Sequence, residues 1–287
     1  MPQKSLSICI VGKPNAGKST LMNYILGQKI SIVTPKVQTT RSIITGIVTL
    51  DDTQLILFDT PGIFEPKKKL EKTMVRCAWS SLNSADIITL IIDSSTKLDD
   101  MMRTIVKRIS ASGKKIIFLM NKIDLKSKYF VDNMSFIDSL ASGAKILNIS
   151  AINGRGVEDF LSHLKENALD ANWAYDKDDI TDSPSRFLAN EITREQLFLK
   201  LEQELPYNLT VDCESWEEMS DGSIKINQAI IVARESYKAI IIGKNGKKIK
   251  EIGTNSRENI GNLLERKIHL MLFVKVRKNW EDTVNLF

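Results

Sequence analysis

Between residues 5 and 166, short and nearly unbroken runs of Ile, Leu and Val alternate with stretches whose apolar positions recur every three to four residues. The runs predict strands at 7–11, 43–49, 54–59, 87–93, 115–120 and 145–149. Runs apolar at consecutive positions suit strands covered on both faces, since a strand with one wet face would alternate. The amphipathic stretches predict helices at 20–26, 70–83, 101–110, 129–140 and 157–166. Strands alternating with helices in this way define an α/β domain with a mostly parallel, doubly wound sheet. At 168–183 the periodicity stops and Asp170, Asp176, Asp178, Asp179 and Asp182 accumulate. This stretch reads as an acidic linker, with Trp173 and Tyr175 expected to dock on one of the domains. Beyond Pro184 the order becomes helix, strand, strand, helix, helix, strand, at 185–204, 208–215, 223–232, a helical stretch leading to Gly243, 247–266 and 268–276. That is an α+β domain. The expected division is therefore 1–167, a linker at 168–183, and 184–287.

A chain of 287 residues can bury two separate cores. Cys9, Cys77 and Cys213 are too far apart for a metal or disulfide pattern, and Cys9 reads as strand filler. His163 and His269 stand without clustered partners, which argues against a zinc site or a histidine-based triad. No apolar run reaches the ~18 residues of a membrane span, and Met-Pro-Gln-Lys-Ser at the start has no secretory core. The expectation is a cytoplasmic protein. Net charge is only +5, but 230–279 alone holds 12 Lys and Arg against 4 Asp and Glu. The basic excess is thus concentrated in the second domain, where a polyanion would be met.

The chemistry begins at Gly12-Lys13-Pro14-Asn15-Ala16-Gly17-Lys18-Ser19-Thr20, between the first strand and the first helix. The first eight residues fit the phosphate-binding pattern G-x-x-x-x-G-K-[ST]. Gly12 and Gly17 permit the tight turn that aims successive N–H groups at one anion. Lys18 brings a positive charge to the β- and γ-phosphates, Ser19 a hydroxyl for Mg²⁺, and the helix its positive end. Asp59-Thr60-Pro61-Gly62 ends another strand. There Asp59 can hold Mg²⁺, through a water, opposite Ser19, and the Gly62 N–H can approach the γ-phosphate. Asn121-Lys122-Ile123-Asp124 ends a third strand. The Asp124 carboxylate can accept the paired N1–H and exocyclic amine of guanine, a donor pair adenine lacks. Lys122 can cover the base, Asn121 can brace the loops, and Ser150-Ala151 can offer an N–H to the guanine O6.

Taken singly, each of these segments is a strand-ending turn. Together, in this order, they resemble the translation-factor-related GTPases, a phosphate-loop fold. The resemblance implies that Thr40 ligates Mg²⁺ when GTP is bound, although Thr39 beside it stands as the alternative. It assigns 63–70 to a second switch, and Lys18, Thr40 and Gly62 to the catalytic machinery. One position departs from the Ras-like pattern, which has a water-orienting Gln after Asp-x-x-Gly. Here it is Ile63, so intrinsic hydrolysis is expected to be slow. In related GTPases an Asn at position 15 helps hold K⁺ near the phosphates; the competing reading is a loop-bracing Asn.

In the second domain Gly243-Lys244-Asn245-Gly246 lies between two helical segments, the GXXG arrangement of a prokaryotic-type KH domain, which clamps about four nucleotides of single strand. Lys244, Asn245, Lys247, Lys248 and Lys250 are the candidate phosphate ligands, and Ile240, Ile241, Ile242 and Ile249 the candidate groove wall. A phosphate-loop GTPase followed by one KH domain is similar to the Era family over essentially the whole chain, including Gln38-Thr39-Thr40-Arg41 and Glu204-Leu205-Pro206-Tyr207. That resemblance implies a monomeric GTPase using GTP/GDP and Mg²⁺, with K⁺ as a further candidate. Its partners would be the 3′ end of 16S rRNA and the 30S ribosomal subunit, whose maturation it assists. It also implies peripheral association with the inner face of the cell membrane. An RNA chaperone with a purely structural or regulatory nucleotide domain is the alternative.

Overall fold

The computed structural model describes residues 2–282. They form two compact units. One contains 2–31 and Thr40–Asp182; the other contains 183–282 together with the short excursion Ile32–Thr39.

The first unit is built on β1 (Lys4–Val11), β2 (Ile44–Leu50), β3 (Thr53–Asp59), β4 (Ile87–Asp93), β5 (Lys115–Asn121), β6 (Lys145–Asn148) and the short β7 (Leu169–Asp170). Their order is β2-β3-β1-β4-β5-β6, with β7 antiparallel to the start of β1. All contacts along the path are parallel except the β2–β3 hairpin. The chain builds outward from β1 in both directions, which makes the carboxyl end of β1 a topological switch point where ligands bind in such sheets. Ile8, Ile10, Leu57, Leu90, Ile92 and Phe118 are fully buried, as unbroken apolar strands require. Helices α1 (Lys18–Leu26), α2 (Lys69–Ser80), α3 (Asp100–Ser110), α4 (Phe130–Leu140) and α5 (Val157–Glu166) follow the pattern read above. Helix α2 is shorter than expected, because 81–84 tightens into a 3-10 turn. Cys9 is wholly buried, and burial pushes its thiol up to about 12, so it is inert filler.

The acidic stretch 168–182 is an ordered strap on this unit. Trp173 donates its ring N–H to the Asp52 carbonyl at 3.2 Å, Gln54 is bonded to the backbone of Tyr175, and Thr181 reaches the Thr45 carbonyl. Trp173 and Tyr175 dock on a domain as expected, but their partners, more than 100 residues away, are not legible in the sequence.

The second unit has α6 (Ser185–Lys200), β8 (Leu209–Glu218), β9 (Ile224–Val232), α7 (Glu235–Ile242), α8 (Lys247–Leu264) and β10 (Ile268–Val276). Its sheet order is β10-β9-β8, with β9–β10 parallel and β8–β9 antiparallel. Helix α6 stops four residues earlier than periodicity predicts. Leu201 leaves the helix with extended dihedrals, Gln203 adopts φ 53°, and Pro206 sits in a 3-10 turn. Strand β8 runs longer than predicted, past a bulge at Cys213 and Ser215. Among the described residues no helix is long and apolar enough to cross a membrane.

Candidate nucleotide and RNA sites

The loops after β1, β3, β5 and β6 emerge from one edge of the first unit's sheet. The first carries the phosphate pattern. Gly17 precedes α1 with φ 105°, and a Cβ there would lie 2.2 Å from the Asn121 amide nitrogen. That position therefore requires glycine on two counts, backbone conformation and close approach. Lys18 is 6% exposed and donates to the Gly12 and Lys13 carbonyls at 3.3 and 3.1 Å. Burial lowers its ammonium to about 8, against the opposing pull of the Asp59 charge.

Three oxygen ligands meet beside it. The Ser19 hydroxyl donates to Asp59 Oδ2 at 2.6 Å and lies 3.0 Å from the Thr40 hydroxyl. Asp59 is completely buried, and its Oδ1 has no hydrogen-bond partner. Burial raises its carboxyl, opposed by the Lys18 charge and by the Ser19 and Ser31 hydroxyls. A desolvated carboxylate with one oxygen unsatisfied, beside two hydroxyls, is a hard-oxygen donor set that fits Mg²⁺. Thr39 points elsewhere, its hydroxyl 2.7 Å from that of Thr34 and donating to the Lys36 carbonyl at 2.8 Å.

The residues after Asp59 divide their work. Thr60 is buried with its hydroxyl donated to the Ile10 carbonyl at 2.8 Å, so its side chain braces β1 and does not face a ligand. Gly62 packs against Pro14, where a Cβ would sit 2.8 Å from the ring. The Ile63 N–H donates to the Gly12 carbonyl at 3.0 Å, and the Ile63 side chain, 1% exposed, packs with Cys9, Val11 and Leu90 in the core. The second-switch position that is Gln in Ras-like enzymes is thus a core position here.

At the base end, Asp124 is exposed and accepts from the Ser150 hydroxyl at 2.5 Å. Asn121 is buried and spans two loops, bonding Ala16 and Ala151. Lys122, at φ 66°, pairs with Asp93 at 2.6 Å, which steadies its stem. Asn15, also left-handed at φ 60°, is exposed. Lys13 pairs with Asp99 at 2.6 Å. Sequence reasoning missed Asp93 and Asp99; the only local signal was Asp99 as an N-cap residue, accepting from Met102 N–H.

In the second unit Gly243, Asn245 and Gly246 all have left-handed φ, between 51° and 72°, in the connection from α7 to α8. A Cβ on Gly243 would approach Lys248 Cβ to 2.7 Å. Lys244, Asn245, Lys247 and Lys250 are exposed, and Lys248 is half-buried. The isoleucines divide: Ile241 is fully buried and Ile249 packs on the core, while Ile240 is 48% exposed. Periodicity alone could not separate wall from core.

A guanine-selective phosphate-loop domain followed by a GXXG-bearing helical connection defines the class: a GTPase carrying a KH unit. The family models agree, with 50S ribosome-binding GTPase matching 7–122 and KH domain matching 204–281. GTPase Era of Rickettsia bellii is 58% identical over 285 residues, covering 99% of this chain and 97% of that one. GTPase Era of Agrobacterium fabrum is 44% identical, covering 100% and 91%. Two solved structures, both 35% identical, match over nearly the whole chain. Era with MgGDPNP and nucleotides 1506–1542 of 16S ribosomal RNA has a TM-score of 0.93, covering 99% of this chain and 98% of that one. A point variant of Aquifex aeolicus Era, bound to GDP and AlF4⁻, has a TM-score of 0.94, covering 99% of each. The chain belongs to the GTPase Era family.

Proposed function

We propose that this protein hydrolyses GTP to GDP and phosphate and uses the nucleotide cycle to engage single-stranded rRNA at the 3′ end of 16S RNA during maturation of the 30S subunit. The observation that carries the reading is the orphaned, buried Asp59 oxygen beside the Ser19 and Thr40 hydroxyls. Burying a carboxylate with an unsatisfied oxygen is unfavourable unless a cation is its partner. The relatives with Mg-nucleotide, transition-state analogue and rRNA support the same reading.

Lys18 and the loop N–H groups of 12–20 hold the phosphates, while Asp124, Lys122, Asn121, Ser150 and Ala151 hold the base. Ser19, Thr40 and Asp59 hold Mg²⁺, which when bound neutralises charge building on the β- and γ-oxygens. The Gly62 N–H donates to the γ-phosphate. Ile63 gives no polar group to orient water, so turnover is slow without a further group. Asn15 supports K⁺ beside the phosphates; equal rates in K⁺ and Na⁺ would leave it as a loop brace. Gly243 and Gly246 let the RNA backbone approach, and Lys244, Asn245, Lys247, Lys248 and Lys250 contact it. The protein acts in the cytoplasm, with any membrane association peripheral.

Steady-state phosphate release with GTP and ATP, in Mg²⁺ and in EDTA, tests the reading. Multiple turnovers with GTP and Mg²⁺ only are expected. Binding of GTP without turnover, together with unimpaired RNA binding, would favour the chaperone alternative.

A further inference from the structure

The excursion Ile32–Thr39 is internal to the RNA-binding unit, although the chain on either side of it belongs to the nucleotide-binding unit. Helix α6 grips it at three points. The Glu195 carboxylate, on a residue 1% exposed, accepts the Val33 N–H at 2.8 Å. The Arg194 guanidinium, on a residue 2% exposed, donates to the Thr39 carbonyl at 2.7 Å. The Lys36 ammonium donates to the carbonyls of Phe198 and, at 2.7 Å, Leu201, at the carboxyl end of the helix. A cation there also meets the negative end of the helix dipole. Arg194 is itself oriented by Glu191 and lies 5.3 Å from the Phe198 ring.

These are unusual residues to bury on one helix. Residues 192–198 are buried at every position, so α6 has two turns with no wet face. An Arg and a Glu there need polar partners, because an unpaired buried charge is strongly unfavourable. Arg194 pairs with Glu191 of its own helix and also bonds the last residue of the excursion, while Glu195 accepts from the second. The residue that follows is Thr40, whose hydroxyl lies 3.0 Å from that of Ser19.

Resting on the GTPase reading above, we propose that Lys36, Arg194 and Glu195 are positioning residues: they latch 33–39 so that Thr40 is presented to the Mg²⁺ ligands, favouring the triphosphate-bound state over the diphosphate-bound one. Thr40 directly follows the docked segment, so the bonds at Val33, Lys36 and Thr39 restrict where its hydroxyl can lie. Docking the segment and seating the Thr40 hydroxyl are therefore linked through a single peptide bond. By linkage, RNA that favours the latched unit raises affinity for the triphosphate by the factor by which the triphosphate raises affinity for RNA.

The test measures dissociation constants for GDPNP and GDP, with and without RNA of the 16S 1506–1542 sequence, for the full chain and for Lys36→Met, Arg194→Met and Arg194→Lys. In Lys36→Met and Arg194→Met the GDPNP-over-GDP preference should fall at least fivefold with GDP affinity within twofold, and the effect of RNA on that preference should vanish. Arg194→Lys, which keeps the charge and one donor, should recover part of the loss. Lys36 is only half-buried, so its substitution reads out the latch even if Arg194→Met fails to fold. An unchanged preference in Lys36→Met, with the protein folded by circular dichroism, overturns the latch. So does an equal loss of GDP and GDPNP affinity. Failure of the unsubstituted protein to bind GTP at all would instead remove the functional reading beneath it.

Discussion

The Asn121 side-chain amide donates to the Ala16 carbonyl 2.7 Å away, so the residue that ends β5 holds the phosphate loop from behind. Its carbonyl oxygen meanwhile accepts the Ala151 N–H at 2.9 Å. One short side chain therefore fixes the spacing between the phosphate loop and the base-binding loops. Asn121→Ala strips two buried backbone groups of their partners, a loss of about 2–4 kcal/mol at ~1–2 kcal/mol each. Urea unfolding should show that destabilisation, accompanied by at least a tenfold weaker affinity for both GTP and GDP. Normal stability with normal affinity would remove Asn121 from this role.

Asp124 is the sole base-reading carboxylate in the reading above, oriented by the Ser150 hydroxyl. Asp124→Asn places an amide donor against the guanine amine, while xanthine, with a carbonyl at that position, would accept from it. The affinity for GTP should drop by about 100-fold or more, on the scale of a misplaced buried hydrogen bond. Xanthosine triphosphate should then bind tighter than GTP. Competition against a fluorescent nucleotide measures both.

Ile63 occupies the place of a water-orienting Gln yet packs in the core. Ile63→Gln should therefore not confer Ras-like hydrolysis. Burying the amide without partners should instead destabilise the unit by about 2–3 kcal/mol. A more than tenfold rise in single-turnover GTP hydrolysis would show that position 63 reaches the nucleotide after all.

Lys18, with its ammonium lowered to about 8, makes nucleotide binding proton-linked. Burial favours the neutral amine in the free protein, whereas phosphate favours the ammonium. GTP binding should therefore take up part of a proton at pH 8.5 and none through this group at pH 6.5. The same shift sets a stability trend. Between about pH 8 and the usual lysine range the unfolded chain holds the extra proton, so the strain of burying the charge is relieved as pH rises. Calorimetry in buffers of different ionisation enthalpy measures the uptake, and Lys18→Met should abolish it.

What the sequence determined by itself is whatever depends on local pattern. Short unbroken apolar runs alternating with amphipathic helices suit strands buried on both faces, and turn motifs at their ends fall on one edge of the sheet. That much placed Gly12–Ser19, Asp59–Gly62 and Asn121–Asp124 without coordinates, and the glycine pair between two helical stretches placed Gly243–Gly246. The tertiary structure decided what depends on partners distant along the chain. Thr40, and not Thr39, faces Ser19. Ile63 enters the core, Ile240 and Ile241 take opposite environments, and the strap at 168–182 finds its bonds on residues near 50. Most of all, Arg194 and Glu195, residue types that usually face water, are buried and bond backbone groups of 39 and 33. Hydrophobic periodicity records which residues avoid water. It carries no record of which buried charges are satisfied by a segment 155 or more residues away, and that pairing exists only once the chain has folded.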